Sequence, residues 1–219
     1  MIERTPEPDL MNDIAQAEAY AATDFSEPHD AFVAYFKKRF PDFKVRSVLD
    51  LGCGTADVII RFARAFPSTH ITGIDGADAM LGIGSKDIKR CGLKDRIELR
   101  KCVLPGSAVS GTKFDAIISN SLLHHLKDPL IIWDIIKNSA KDGAPVFVMD
   151  IMRPESKERA RELLGMYASD APEILQEDFY NSLLASYTLD EVREQLKTAG
   201  LDLTIEAVSD RHLIVWGNK

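Results

Sequence analysis

The amino-acid sequence predicts an α/β fold: an open, mostly parallel sheet of seven strands, helices on both faces, and a C-terminal antiparallel hairpin. Three observations carry that expectation. Short apolar runs alternate with helix-like runs between residues 46 and 151, the pattern of a parallel sheet with crossover helices. The apolar runs are nearly continuous, as in strands buried on both faces. The last two runs, LDLTIEAV and RHLIVWG, are parted by a Ser-Asp pair, which suggests a hairpin at the sheet edge.

The elements follow in order. Residues 1–9 are polar and are expected to be loose. LMNDIAQAEAYA (10–21) reads as a helix, and AATDFSE as a connector of small and polar residues. PHDAFVAYFKKRF (28–40) is a second helix, with Pro28 suited to its first turn. Phe32, Val33, Tyr35, Phe36 and Phe40 give it an apolar stripe. RSVLDL (46–51), HITGID (70–75), DRIELRKCV (95–103), KFDAIIS (113–119) and APVFVMDI (144–151) read as strands. ADVIIRFARAF (56–66) and ADAMLGIGSKDIKRCG (77–92) read as helices between them. DPLIIWDIIKNSAKDG (128–143) is expected to start at Asp128-Pro129 and stop at Gly143. Residues 153–187 show no strand and suggest one or two helices. TLDEVREQLKTAG (188–200) carries a capping box at Thr188 and Glu191 and a terminal Gly200.

A chain of 219 residues with 45% apolar content can bury a sizeable core. No repeat, low-complexity tract or linker divides it, so a single domain is expected. Its parts are an N-terminal helical cap (1–44), a ligand-binding core (45–151), a helical lid insertion (152–187), and a C-terminal helix and hairpin (188–219). The net charge of −7 argues against a general nucleic-acid binder. Cys53, Cys91 and Cys102 form no CxxC pair, which points to reduced thiols and no zinc site. No run approaches the length of a membrane span, and the start of the chain is unlike a secretory signal. The default location is the cytoplasm, with no membrane partner.

The most informative stretch is VLDLGCGTADV (48–58). Gly52 and Gly54 sit where a strand ends and a helix begins, a turn that lets the backbone approach a ligand. The third glycine of a dinucleotide loop is missing, and Asp57 stands in its place. Asp75 ends the next strand, where a carboxylate can accept both hydroxyls of a ribose. Together these point to an adenosine-type ligand; a tight turn beside an exposed acid is the plainer alternative. Asp50 and Asp57 would repel a pyrophosphate and tolerate an ammonium group.

VLDLGCGTADV, ITGIDGADAML and FDAIISNSLLHHLKDP, followed by GAPVFVMD, resemble the successive motifs of class I S-adenosyl-L-methionine-dependent methyltransferases, whose sheet is Rossmann-like. The resemblance covers residues 45–151. It implies S-adenosyl-L-methionine as cofactor and S-adenosyl-L-homocysteine as product. It implies that the loop of Asp50, Gly52, Cys53 and Gly54 faces the methionine part, and that Asp75 holds the ribose. Gly76 and Met80 would border the adenine, although Met80 could equally fill the core. Many members carry an acid after the third strand; here a Cys102 or Val103 backbone group is expected to serve. Asn120 should lie beside the reactive end of the cofactor. It is followed by Ser121-Leu122-Leu123 rather than Pro-Pro-Tyr, which weighs against base or amide methylation.

The expected reaction is methyl transfer to a small-molecule acceptor by in-line displacement. His124 and His125 are the candidate bases, with His125 favoured because adjacent side chains should point in different directions; a purely structural pair is the alternative. A metal site on this pair is not expected, since no further His sits at ligand spacing. Asp150 ends the fifth strand, placed to orient a substrate or to pair with Arg153. The N-terminal segment, with Tyr20, Phe25 and His29, can cover the cofactor, and His29 is a substrate candidate. Phe179, Tyr180 and Tyr187 in the insertion are acceptor contacts or core. Glu173, Glu177 and Asp178 form an acidic edge or a solvated face. The competing reading is a non-catalytic S-adenosylmethionine-binding module, such as a sensor or partner subunit.

Overall fold

A computed structural model describes residues 2–7, 14–44, 46–107 and 109–219. Its strands are β1 (Ser47–Leu51), β2 (His70–Asp75), β3 (Ile97–Lys101), β4 (Ala116–Asn120), β5 (Pro145–Ile151), β6 (Thr204–Ala207) and β7 (His212–Asn218). They form one sheet in the order β3-β2-β1-β4-β5-β7-β6. The first five are parallel; β7 runs antiparallel to both β5 and β6. The predicted seven strands and terminal hairpin are therefore present. From β1 the chain builds outward to β2 and β3, then returns to β4 on the other side. That reversal opens a crevice beyond the carboxyl ends of β1 and β4, where open α/β sheets bind ligands.

The helices are α1 (Ile14–Ala22), α2 (Ser26–Arg39), α3 (Asp57–Ala65), α4 (Asp78–Arg90), α5 (Leu130–Ser139), α6 (Lys157–Tyr167), α7 (Glu173–Ala185) and α8 (Leu189–Ala199). Alternation along β1 shows how both faces are filled. Val48 packs with α2 and α3 residues, whereas Leu49 and Leu51 join the cluster of α5 and α8. On the first face Phe36 is fully buried, its ring 4.7–5.6 Å from those of Phe40, Phe43, Phe62, Phe66 and Phe147. On the second, Trp133 is fully buried and donates its indole N–H to Gln195 at 3.0 Å, joining α5 to α8.

Several boundaries differ from expectation. The N-terminal residues 2–7 are not loose: Thr5 N–H donates to Leu184 O, and Arg4 reaches the carbonyls of Ala185, His124 and Leu126. Residues 8–13, which hold the expected start of the first helix, lie outside the described residues. The second helix starts two residues early, at Ser26, so Pro28 falls inside its first turn. The fifth helix ends at Ser139, well before Gly143, because Ala140 leaves it to bridge Phe114 beside β4. Gly143, at φ 76°, instead makes the turn into β5. The 153–187 region holds two helices.

The capping box of α8 is as expected: Thr188 accepts from Glu191 N–H, Glu191 accepts from Thr188 N–H, and Gly200 closes the helix at φ 67°. Thr188→Ala is expected to cost about 1 kcal/mol, measured as a shift in urea midpoint at unchanged slope.

Candidate active site

The glycine turn is built by backbone geometry. Gly52 and Gly54 adopt φ of 74° and 50°, a region that L side chains rarely enter. A Cβ on Gly52 would fall 2.9 Å from Leu122, so the position excludes any larger residue. The N–H groups of Gly52 and Cys53 both donate to Ile74 O, at 2.9 and 3.0 Å, pinning the turn to the end of β2. Asp75 completes it. Its Oδ2 accepts from Gly54 N–H and its Oδ1 from Ala77 N–H, each at 2.8 Å, so its carboxylate spans the bend at Gly76. Each oxygen keeps a further lone pair for a ligand hydroxyl.

Asp50 lies beneath this turn. It is buried, and its Oδ1 has no hydrogen-bond partner among the described residues. Burial, and then the nearby Asp75 charge, push its carboxyl well above the usual range. Burial also raises the Cys53 thiol, followed by Asp50 and Asp75.

Above the turn, Met80, Ala77 and Ala17 form a small buried cluster with Tyr20 packed against it. Met80 is thus part of this small core, and its Cε also lies 3.9 Å from a notional Cβ on Gly54, beside the turn. Tyr20 stacks on Phe25 at 4.6 Å. Its phenol is pushed up to about 12 by burial and then by Asp57 and Asp75. Asp57 does not face the turn as a free charge. It accepts from Arg61 at 2.8 Å and lies 2.6 Å from His29 Nδ1, while Arg61 also pairs with Asp30. Burial opposes its ionisation, but His29 and Arg61 outweigh that and hold it at about 2. The buried His29 therefore ties α2 to the start of α3 instead of standing beside the insertion. The Cys102 N–H, expected near the adenine, donates to Asp75 O at 2.7 Å, and Val103 is half exposed.

The residues expected on the acceptor side belong to the loop after β4 and its neighbours. Asn120 ends that strand and its amide donates to Ser121 Oγ at 3.1 Å. A single 3-10 turn, Leu123–His125, follows. Contrary to the expectation of divergence, the His124 and His125 rings lie 4.0 Å apart. His124 is buried with its Nδ1 2.6 Å from Asp150 Oδ1, while Asp150 Oδ2 accepts from Leu123 N–H at 2.7 Å. Burial disfavours the imidazolium, but the Asp150 charge outweighs it and the His124 pKa is raised. Asp150 does not pair with Arg153, whose guanidinium binds Glu191 at 2.6 Å and Ser186 O at 3.1 Å, drawn across by the α8 cap.

Tyr187 is likewise committed. Its hydroxyl donates to Leu126 O at 2.7 Å and Arg4 lies 4.1 Å over its ring. Phe179 and Tyr180 pack, half-buried, on the cluster of Ile151, Leu163 and Leu183. Asp178 accepts from Gln16 at 2.7 Å, joining α7 to α1.

One participant was invisible in the sequence. Glu7 pairs with His125 Nδ1 and accepts from Ser182 Oγ at 2.5 Å. With His124 and His125 it forms a set whose possible metal-ligand atoms lie within 4.8 Å of one another. Both its oxygens are engaged by hydrogen donors, so the observed arrangement is an ion pair. No periodicity or spacing links residue 7 to residue 125; only the fold brings them together.

Strand order, glycine turn and acidic partner define a class I, Rossmann-like methyltransferase fold. A family model described as a methyltransferase domain matches residues 20–206, and the chain belongs to that family. It is 32% identical over 121 residues to a ubiquinone biosynthesis O-methyltransferase of Xylella fastidiosa, covering 54% of this chain and 47% of that protein. It is 25% identical over 124 residues to a malonyl-[acyl-carrier protein] O-methyltransferase of Bacillus cereus, covering 53% and 42%. The aligned stretches thus span less than half the length of these curated relatives. Among solved structures, a SAM-dependent methyltransferase from Aquifex aeolicus superposes with a TM-score of 0.70 at 19% identity, covering 94% of this chain and 98% of that one. The plantazolicin methyltransferase BpumL, solved with a monoazolic desmethylPZN analog and SAH, gives 0.70 at 15% identity, covering 94% and 88%. No helix among the described residues is long and apolar enough to cross a membrane.

Proposed function

We propose that the protein is an S-adenosylmethionine-dependent methyltransferase acting on a small-molecule acceptor. The observation that carries this reading is Asp50: a buried carboxyl with an unpartnered oxygen, beneath a turn of two positive-φ glycines, fits a ligand with an ammonium group. Asp50 and the Gly52–Gly54 turn would hold the amino-acid end of the cofactor and Asp75 the ribose. Met80, Gly76 and the chain at Cys102 and Val103 would flank the adenine. S-adenosylmethionine supplies the methyl group as a sulfonium, an electrophile that needs alignment more than activation. Tyr20 and α1 exclude water over the turn, and Asn120 borders the acceptor.

His124 is better placed as base than His125. Asp150 fixes its Nδ1, so the neutral ring, which the Asp150 charge confines to higher pH, has Nε2 to take a proton from the acceptor, the arrangement of an oriented base. Residues 1–44 then act as the cap and 152–187 as the lid that shapes the acceptor chamber. His29, Arg153 and Tyr187 would shape it indirectly, through the contacts they make. The relatives named for quinone and malonyl-carrier methylation support an oxygen acceptor. The three free cysteines are in keeping with a cytoplasmic setting.

Calorimetry with S-adenosylhomocysteine, followed by turnover with S-adenosylmethionine and a metabolite extract, tests the reading. Binding with formation of homocysteine-nucleoside and a methylated product is the expected result. Binding without turnover would make the protein a sensor or partner module, and no binding would remove the reading. An ammonium group favours ionised Asp50, whose carboxyl is raised in the free protein, so binding should release a proton. Affinity is therefore expected to rise with pH above the ordinary carboxylate range, and buffers of different ionisation heat should report the proton released.

A further inference from the structure

The Glu7 carboxylate occupies a niche between the 3-10 turn and α7. Ser182 Oγ donates to Oε1 at 2.5 Å, and the His125 ring pairs with Oε2. The His124 ring stands behind that of His125 at 4.0 Å. The Glu7 side chain is only 12% exposed. Burial by itself would raise its pKa, yet the His125 hydrogen bond, the charge of both imidazoles and the Ser182 hydroxyl hold it down to about 2. A pocket that strips water from a carboxylate and still keeps it ionised supplies charge-assisted donors in carboxylate geometry.

The walls of this niche stand without Glu7. His125 N–H donates to Leu122 O, and Tyr187 anchors Leu126. Arg4, three residues earlier, makes its own bonds to the carbonyls of His124 and Leu126. The ion pair is therefore one attachment of a segment that is already tied down. The niche borders the 3-10 turn that follows Asn120, the side of the sheet to which the acceptor has been assigned.

We propose that this niche is an anionic subsite of the acceptor chamber, that the acceptor carries a carboxylate, and that Glu7 is an internal occupant which the acceptor's carboxylate replaces. This rests on the methyltransferase reading. The subsite adds recognition only: the carboxylate exchanges one set of hydrogen bonds for another, and no bond is made or broken there.

The test uses Glu7→Ala and Glu7→Gln, each saturated with S-adenosylhomocysteine and titrated with benzoate or with neutral benzamide. Melting temperature and the His125 ring signals in NMR report occupancy. Benzoate is expected to bind the variants about tenfold or more tighter than the wild type, which is about 1.4 kcal/mol of relieved competition. Benzamide should show no such gain, and adding Ser182→Ala should weaken benzoate. Glu7→Gln keeps the side-chain volume and decides the matter if Glu7→Ala does not fold. Equal response to acid and amide, or equal response of variant and wild type, would overturn the proposal. So would stabilisation of the wild type by Zn²⁺ that both variants lose, since that would mark a metal site. The heat of adenosylhomocysteine binding is measured on each protein first, before saturation. Its absence would refute the cofactor reading, whereas its presence without benzoate selectivity would refute the subsite alone.

Discussion

Asp75→Ala is expected to weaken S-adenosylhomocysteine binding about 100-fold or more, because two hydrogen bonds to a charged acceptor, at about 1.5–3 kcal/mol each, would be lost with the ribose. The effect has a second source in the free protein. The same carboxylate holds Gly54 N–H and Ala77 N–H at 2.8 Å, so its removal frees both ends of the bend around Gly76. Asp75→Asn keeps one acceptor oxygen and should fall between the variant and the wild type. Calorimetry measures the affinities, and a melting curve separates lost binding from lost fold. A folded Asp75→Ala protein with wild-type affinity would remove this residue from the site.

Phe36→Ala should cost about 3–5 kcal/mol, the range for deleting a fully buried aromatic ring. Phe36 meets five other phenylalanine rings, contributed by the segment after its helix, by α3 and the residue that caps it, and by β5. The remaining rings cannot all close on the void, because α2 is also fixed by His29 to Asp57 and by Arg39 to Glu206. Denaturant unfolding measures the loss. The affinity of the folded fraction for adenosylhomocysteine should stay near the wild-type value, since Phe36 touches neither the glycine turn nor Asp75. A loss under about 1 kcal/mol would show that the cluster repacks around the gap.

Much of this architecture was legible in the sequence because it is written in short-range pattern. VLDLGCG declares a buried strand and a tight turn, and in the structure both glycines take positive φ while Leu122 leaves no room for a Cβ at Gly52. Thr188, Glu191 and Gly200 declare the bounds of α8 through local capping chemistry. Gly143 misled, because a glycine marks a turn without saying whether a helix or a loop leads into it. Asp57 misled differently: its place after the loop was clear, but its partners His29 and Arg61 depend on how α2 docks. The same limit explains His124 and His125. Adjacency implies divergence in a strand or helix, whereas a 3-10 turn with Asp150 below and Glu7 above brings the rings side by side. Arg4 and Glu7 carried no signal, since a polar N-terminal segment looks the same whether it is solvated or bound against the 3-10 turn and α7.

The aromatic cluster around Phe36 divides the segment ahead of β1 into two mechanically different halves. α2 is packed into the core with the sheet beneath it. α1 buries only Ala17 among its own residues and rests on α4 and α7 through small contacts. Between them, Thr23 to Phe25 form the joint, with Tyr20 stacked back on Phe25. The segment ahead of β1 therefore meets the glycine turn through its more lightly packed half, nine residues joined to α2 by a three-residue connector.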